Sequence, residues 1–302
     1  MADISLRFHK DMLVLTSPVD ASLARQGTNF EDDFEMLMVV EPETLEDAYR
    51  SQMTTQAQCL VAQTANLLPS RLLHKNLEKR LPELVRISLE MATAQKAQHV
   101  LVELGPTGLP LDPSSKASLM EHRDQYVRAA REFEHYPFDA YLLNDFTDVD
   151  ALKCALMGLR KASDRPVFAS VNANAEGVLG NGRHTLQEAV AVMQEFGASV
   201  AGVQTPCAPA AAAHLARGMA SACSLPLMVQ LQVGQRNAKQ LNPTDENPYY
   251  RPETLFDAIP HLRSAGVQFL RATGNATPAY AAALAAVLVG LDVIDVRGIL
   301  ED

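Results

Sequence analysis

This chain of 302 residues lacks several sequence patterns that are typical of metal-binding, membrane-spanning or secreted proteins. It has no tryptophan, and its four cysteines include no Cys-x-x-Cys pair, so we expect free, mostly buried thiols and no zinc site built from cysteine alone. Its histidines form neither a His-x-His nor a His-Glu-x-x-His motif. The chain also lacks an apolar run of about 18 residues and a secretory signal, so we expect a cytoplasmic location without membrane association.

Positive charge is also scarce. The 26 lysines and arginines are outnumbered by 36 acidic residues, which gives a formal net charge of −10 and a pI of about 5.3. A general nucleic-acid or anionic-membrane binder would show a basic face. With 47% hydrophobic residues, the chain can bury a large core, so this composition indicates a globular protein rather than a disordered one.

The dominant pattern is a short β-rich run followed by a polar loop and a helical stretch. Runs apolar on both faces are typical of parallel strands covered by helices. The eight predicted strands are 12–15, 59–63, 100–104, 140–143, 167–171, 200–204, 227–232 and 268–272. The predicted helices are 43–57, 76–97, 114–134, 148–161, 185–196, 208–222, 253–265 and 278–289.

Eight strands alternating with eight helices predict a single-domain α/β protein, a (β/α)8 TIM barrel spanning residues 1–302. The alternative is a doubly wound open sheet, which usually carries a glycine-rich turn after its first strand. The first strand here runs into TSPVDASLARQG, which lacks those glycines. Two segments depart from the repeat. We interpret residues 29–44 as an insertion near the barrel mouth and residues 234–253 as a functional or interface loop, or a decoration of the fold.

Barrel enzymes place their chemistry at the C-terminal ends of the strands. At these positions the chain is rich in amides and hydroxyls and poor in groups that transfer protons or bind metals. Glu103 and Asp145 are the candidate catalytic acids or bases. The candidate substrate-binding residues are Thr16, Gln63, Asn144, Asn172, Asn174, Gln204, Thr205, Gln232, Arg271, Thr273 and Asn275.

Three of these residues are ionised at neutral pH, and each has a structural alternative. Glu103 would instead accept hydrogen bonds from the GPTG loop at 105–108, and Asp145 would instead cap the following helix, in competition with Thr147 and Asp148. Arg271 would bind a substrate carboxylate or phosphate, or pair internally with Glu103 or Asp145.

The order of several motifs is informative. They are AQT (62–64), ELGPTG (103–108), the fifth-strand segment 165–190, GASVAGVQTPCAP (197–209), LPLMVQLQVGQ (225–235), and residues 249–278 with a Tyr-x-x-Pro-Glu element at 249–253. In this order they resemble the homocysteine S-methyltransferase family, which includes betaine-homocysteine methyltransferases and the homocysteine module of cobalamin-dependent methionine synthase. The resemblance extends over about residues 12 to 292 and implies the same barrel.

The resemblance also implies what has changed. The family binds zinc through one cysteine after strand six and two adjacent cysteines after strand eight, and zinc keeps homocysteine as a thiolate. The corresponding positions here are Thr205, Thr273 and Gly274. Cys207 lies two residues out of register and cannot rebuild a three-sulfur site. The family's acidic residues after strands one and four correspond to Thr16 and Asn144, with Asp20 and Asp145 close by.

These departures leave two hypotheses. In the first, the chain is a methyltransferase without zinc-thiolate activation and without bound zinc, which moves a methyl group to or from a corrinoid or a tetrahydropterin such as tetrahydrofolate. In the second, it is a non-catalytic binding or regulatory subunit that keeps the barrel. The first implies a small-molecule substrate and a corrinoid protein as candidate partner. The sequence leaves open whether the chain forms a homo-oligomer.

Overall fold

The computed structural model describes residues 3–24, 27, 30–235 and 239–296. Within these residues, eight parallel strands pair in the order β1-β8-β7-β6-β5-β4-β3-β2. They are β1 (Leu13–Val14), β2 (Cys59–Ala62), β3 (His99–Leu104), β4 (Ala140–Phe146), β5 (Val167–Asn172), β6 (Val200–Thr205), β7 (Leu227–Val233) and β8 (Val267–Gly274). An isolated parallel bridge between Leu15 and Cys59 links the two ends of the sheet. The predicted (β/α)8 barrel is therefore confirmed.

Helices surround the barrel in the described residues. They are α1 (Asp20–Ala24), α2 (Phe30–Val40), α3 (Pro42–Met53), α4 (Pro69–Leu73), α5 (Leu81–Ala94), α6 (Lys116–Phe133), α7 (Val149–Ala162), α8 (Leu186–Glu195), α9 (Pro209–Ala222), α10 (Ala258–Ser264) and α11 (Pro278–Leu288). Short 3-10 helices occupy Ile4–Arg7, Glu78–Arg80 and Pro252–Leu255. None of the helices in this part of the chain is long and apolar enough to cross a membrane.

Local sequence signals explain where several helices begin. Thr185 accepts a hydrogen bond from the Glu188 N–H and forms a reciprocal capping box that starts α8. Pro278 occupies the first turn of α11, where its missing N–H costs nothing. Helices α1, α2 and α4 were not predicted. Helix α2 lies in the segment interpreted as an insertion, and this interpretation stays a prediction, as does the role of 234–253, of which 236–238 lie outside the described residues.

The core has two parts. The larger cluster lies between the strands and the helices, and the smaller one fills the barrel interior. In the interior, the rings of Phe168 and Phe269 meet edge to face with centroids 4.7 Å apart, and Phe8 packs on both from the N-terminal segment. Each fully buried phenylalanine contributes about 1.5–3 kcal/mol by leaving water. This apolar plug closes the N-terminal end of the barrel and leaves the C-terminal end, the mouth, for polar groups.

Candidate functional site

The barrel interior changes from apolar to polar along each strand. Successive side chains of a strand point to opposite faces, so residues two apart share the interior. Leu101, Leu142, Phe168, Met228 and Phe269 belong to the apolar plug. Two residues further along the same strands come Glu103, Asn144, Ser170, Gln230 and Arg271, which we call the middle layer. The next inward positions include Ser17, Gln63, Asn172, Gln204, Gln232 and Thr273, which we call the upper layer.

A buried ion pair forms the centre of the middle layer. The Arg271 side chain is fully buried, and its Nη2 donates to Glu103 Oε2 at 3.0 Å while Nη1 donates to Oε1 at 3.3 Å. Its Nε donates to the Thr16 carbonyl at 3.0 Å, and Nη1 also donates to Gln230 Oε1 at 3.3 Å. Of the two readings of Arg271, internal pairing with Glu103 is the one observed. The alternative for Glu103 was wrong, because Asn144 and Arg271 donate to its carboxylate rather than the GPTG loop.

Amide groups connect this ion pair to the other side of the barrel. Asn144 Nδ2 donates to Glu103 Oε1 at 2.7 Å, and Gln230 Nε2 donates to Asn144 Oδ1 at 2.7 Å and to Ser170 Oγ at 2.8 Å. Gln230 and Ser170 are completely buried, and both were missed from the sequence. The signal that could have found Gln230 is the alternation of Met228, Gln230 and Gln232 along β7.

Asp145 is held in an unusual conformation at the end of β4. Its φ is +62°, in the left-handed region, where the β4–β5 register shifts between Leu143 and Phe146. Non-glycine residues rarely adopt this conformation, and such strain concentrates at functional sites. Asp145 does not cap α7. Asp148 caps this helix instead, because its side chain accepts hydrogen bonds from the backbone N–H groups of Asp150 and Ala151. The capping alternative for Asp145 was therefore wrong.

Instead, the Asp145 carboxylate faces the mouth and is held by two amides. Its Oδ1 accepts from Gln204 Nε2 at 2.9 Å and from Asn172 Nδ2 at 3.3 Å. Although the side chain is open to the mouth, the surrounding walls partly withdraw it from water. This desolvation, followed by the negative charge of Glu103, raises the pKa of the Asp145 carboxyl above its ordinary value, against the lowering effect of the two amides.

Several polar atoms around the mouth have no hydrogen-bonding partner within the described protein. In the upper layer they are Ser17 Oγ, Gln63 Nε2, Asn172 Oδ1 and Thr273 Oγ1. Asp20, at the start of α1, adds an unpartnered Oδ1, and burial followed by the charge of Glu103 raises its pKa. Buried polar groups are almost always hydrogen-bonded, so a cluster of such atoms marks a place where a polar ligand fits.

The remaining candidates have different surroundings. Asn174 lies exposed in the hairpin after β5, where its Oδ1 accepts from the backbone N–H groups of Glu176 and Val178. Gln232 is exposed at the end of β7. Asn275 lines a cleft beside the mouth. The structure thus brings Asn172 and Gln204 to Asp145, and leaves Asn174 to its own hairpin.

The positions that correspond to zinc ligands by the resemblance were also located. Thr205 is fully buried, and its hydroxyl donates to Cys207 Sγ at 2.9 Å. Gly274 has φ +64°, and a Cβ there would lie 2.7 Å from the Val233 carbonyl oxygen. In the part of the chain that the structure describes, no three His, Cys, Asp or Glu side chains are grouped as metal ligands.

Comparison with known proteins identifies the family of this chain. This chain is similar to solved structures of the homocysteine methyltransferase MmuM from Escherichia coli. The TM-score is 0.74 at 18% identity for the metallated form and 0.75 at 17% identity for the oxidized form. Each alignment covers 91% of this chain and 96% of the MmuM chain. The methionine synthase of Mycobacterium tuberculosis is 25% identical over 255 residues, which is 75% of this chain but only 21% of that protein. A family model described as homocysteine S-methyltransferase matches residues 14–288. Because this match spans most of the chain, the protein belongs to the homocysteine S-methyltransferase family.

Proposed function

We propose that this protein is a methyltransferase that works without zinc-thiolate activation, on a substrate that is bound in the mouth mainly by hydrogen bonds. The observation that carries the proposal is the polar upper layer around Asp145. Ser17 and Thr273 are 1% and 2% exposed, and each presents an unpartnered hydroxyl oxygen there. A neutral heterocycle with several donors and acceptors, such as a tetrahydropterin, matches these groups better than an apolar or highly charged ligand.

The side chains at the family's ligand positions do not fit a zinc-thiolate centre. Threonine hydroxyls are poor ligands for zinc compared with thiolates. At position 274 a cysteine would need a left-handed backbone and would meet the Val233 carbonyl oxygen, which its Cβ would approach to 2.7 Å. Cys207 is a single thiol already engaged by Thr205. We therefore derive no step of the reaction through zinc.

Asp145 is the residue that we assign to proton transfer. Because its pKa is raised, its carboxyl group holds a proton at higher pH than an ordinary aspartate does. When a nucleophilic atom of the acceptor supplies an electron pair and takes the methyl group, the donor atom keeps the pair of the broken bond, and Asp145 can donate its proton to that donor atom. The resulting carboxylate is then stabilised by the N–H groups of Asn172 and Gln204.

Glu103 and Arg271 are better suited to positioning than to proton transfer. Both carboxylate oxygens of Glu103 accept N–H groups of Arg271 or Asn144. The guanidinium is fully buried and makes four hydrogen bonds to protein groups. The pair therefore forms a rigid floor under the upper layer, and this floor fixes the side chains that contact the substrate.

A methylated tetrahydropterin carries the transferable group on nitrogen, and a methylated corrinoid carries it on cobalt. Both are polar ring systems, and either can serve as methyl donor or acceptor without a zinc-bound thiolate. A corrinoid bound to its own carrier protein would make that protein the partner of this chain. The amides of Asn172 and Gln204 beside the Asp145 carboxylate suit the N–H and C=O edge of a pterin, so the tetrahydropterin is the first substrate to test.

The test is a binding and turnover screen of the purified chain with tetrahydrofolate, its methylated form, cobalamin and homocysteine. We expect saturable binding of the pterin, lost in Asn172→Ala, and methyl transfer reduced about 100-fold or more in Asp145→Asn. Asp164→Asn is the matched control, because Asp164 is exposed ahead of β5, at the end of the barrel away from the mouth.

Other outcomes would contradict the proposal. Stoichiometric zinc that cysteine-blocking reagents release would restore metal-dependent activation of homocysteine. Binding of neither pterin nor corrinoid, together with a co-purifying partner protein, would favour the non-catalytic subunit. Equal turnover in Asp145→Asn and Asp164→Asn would remove the assigned acid.

A further inference from the structure

A cleft opens beside the mouth, between α1 and the ends of β7 and β8, and we call it the side cleft. Its volume is about 520 Å³, which lies within the range of about 300–1,000 Å³ typical of small-molecule sites. Ala21 and Ala24 of α1 form one wall, and Asn275 and Thr277 after β8 contribute polar groups. The small alanine side chains leave this space open, so the side cleft can hold a fragment of a ligand.

The side cleft continues directly from the mouth. Asp20, whose Oδ1 is unpartnered, immediately precedes Ala21 in α1. On the opposite side, Thr273 presents an unpartnered hydroxyl oxygen to the upper layer, and Asn275, two residues later, lines the side cleft. One ligand can therefore place its reactive end in the mouth and extend its other end past α1 and β8.

The side cleft has a cationic end. Of the described residues that line it, Arg251 alone carries a charge, and its guanidinium lies 5.2 Å from the centroid of the Tyr250 ring. Among the side chains that the structure describes, no carboxylate lies within ion-pair distance of Arg251, although the whole chain has a net charge of −10. Arg251 is exposed to solvent at the edge of the side cleft, and its guanidinium fork can bind an anion there because it matches carboxylate and phosphate oxygens.

We propose that the side cleft binds an anionic tail of the substrate, a carboxylate or a phosphate, through Arg251. This inference rests on the proposed function, since the head of the same substrate occupies the mouth. Barrel enzymes frequently bind phosphate groups with the loops after strands seven and eight, which is where the side cleft lies. The tail would supply binding energy remote from the reacting atoms and would orient the head against Asp145.

The test separates tail binding from head binding by titrating fragments into the purified chain. The carboxylate probe is p-aminobenzoyl-L-glutamate and the phosphate probe is inorganic phosphate, each followed by calorimetry. A tetrahydropterin without a tail probes the mouth. We expect one of the two anions to bind, with a Kd that rises about 10-fold or more in Arg251→Gln, rises less in Arg251→Lys, and increases with ionic strength. Arg86→Gln, an exposed arginine on α5, changes the net charge equally and should leave this Kd unchanged.

The results distinguish this inference from the proposed function. Anion binding that depends on Arg251, without pterin binding in the mouth, keeps the side cleft and refutes the proposed substrate. Pterin binding with no anion binding at millimolar concentrations overturns the side-cleft proposal and keeps the proposed function. Equal anion affinity in Arg251→Gln and Arg86→Gln also overturns it. Whichever of the two anions binds identifies the tail as a carboxylate or a phosphate.

Discussion

Replacing Arg271 by methionine tests whether the buried ion pair organises the barrel mouth. The substitution roughly conserves side-chain volume but removes every N–H donor of the guanidinium. Glu103 Oε2 and Gln230 Oε1 then lose their side-chain donor, and the Thr16 carbonyl loses its bond at 3.0 Å. Each buried acceptor left unpaired costs about 1–3 kcal/mol, and breaking a buried ion pair typically costs about 3–5 kcal/mol. We expect the free energy of unfolding to fall by about 3–5 kcal/mol.

The double variant Glu103→Gln/Arg271→Met completes this test. Glutamine removes the uncompensated charge and keeps an oxygen that accepts from Asn144. The double variant should therefore be less destabilised than the sum of the two single variants, by at least about 1 kcal/mol of coupling free energy. As a surface comparison, Arg86→Met breaks the exposed Arg86–Glu90 pair and should change the unfolding free energy by no more than about 1 kcal/mol.

Urea unfolding followed by far-ultraviolet circular dichroism is the appropriate assay, because the chain has no tryptophan to report on unfolding by fluorescence. The reasoning is refuted if Arg271→Met costs no more than Arg86→Met, or if the free-energy changes of the single variants simply add. Either result would mean that water or neighbouring side chains readily replace the guanidinium, and the mouth would then have no rigid floor.

Three further changes have defined outcomes. Asp145→Asn should raise the melting temperature at neutral pH but not near pH 4. A carboxyl whose folded pKa is raised contributes stability below its unfolded pKa and loses it as pH rises through the folded pKa. Asparagine also tolerates the φ of +62° at this position. The same difference in melting temperature between variant and parent at both pH values would contradict this reasoning. Gly158→Ala should destabilise the protein by about 1–3 kcal/mol in chemical denaturation, because its Cβ would lie 2.4 Å from the Arg123 carbonyl oxygen. Gly218→Ala, in an open position of α9, should instead stabilise it by up to about 1 kcal/mol, and equal signs would refute the packing argument.

The strands and most of the helices could be predicted because their signals are local. Apolar runs bounded by polar loops located all eight strands, and Thr185 and Pro278 marked helix starts that the structure confirms. Helices α1, α2 and α4 escaped prediction since two of them have only five residues and α2 lies in an acidic segment without a clear repeat.

The contacts of the mouth were harder to predict, because they depend on which face each strand turns inward and on one irregular backbone. In β7, the sequence pointed to Gln232 at the strand end, whereas Gln230, two residues earlier, joins the buried network. For Asp145, the following residues offered competing helix caps, and only the register shift in β4 shows that this carboxylate turns into the mouth. A register shift combined with a left-handed residue has no reliable local signal unless the residue is glycine.

The middle layer bears on whether this barrel has kept a function. Replacing a buried ion pair by well-packed apolar residues is often neutral or stabilising, so stability alone does not require Glu103 and Arg271. A barrel that only presented its outer surface to a partner could extend the apolar plug of Phe168 and Phe269 through this layer. Instead, each strand from β3 to β8 except β6 contributes a polar group to one connected network below the mouth. A network of this kind is useful when the residues above it must be held in place for a ligand, which supports catalysis or specific binding at the mouth over a purely structural barrel.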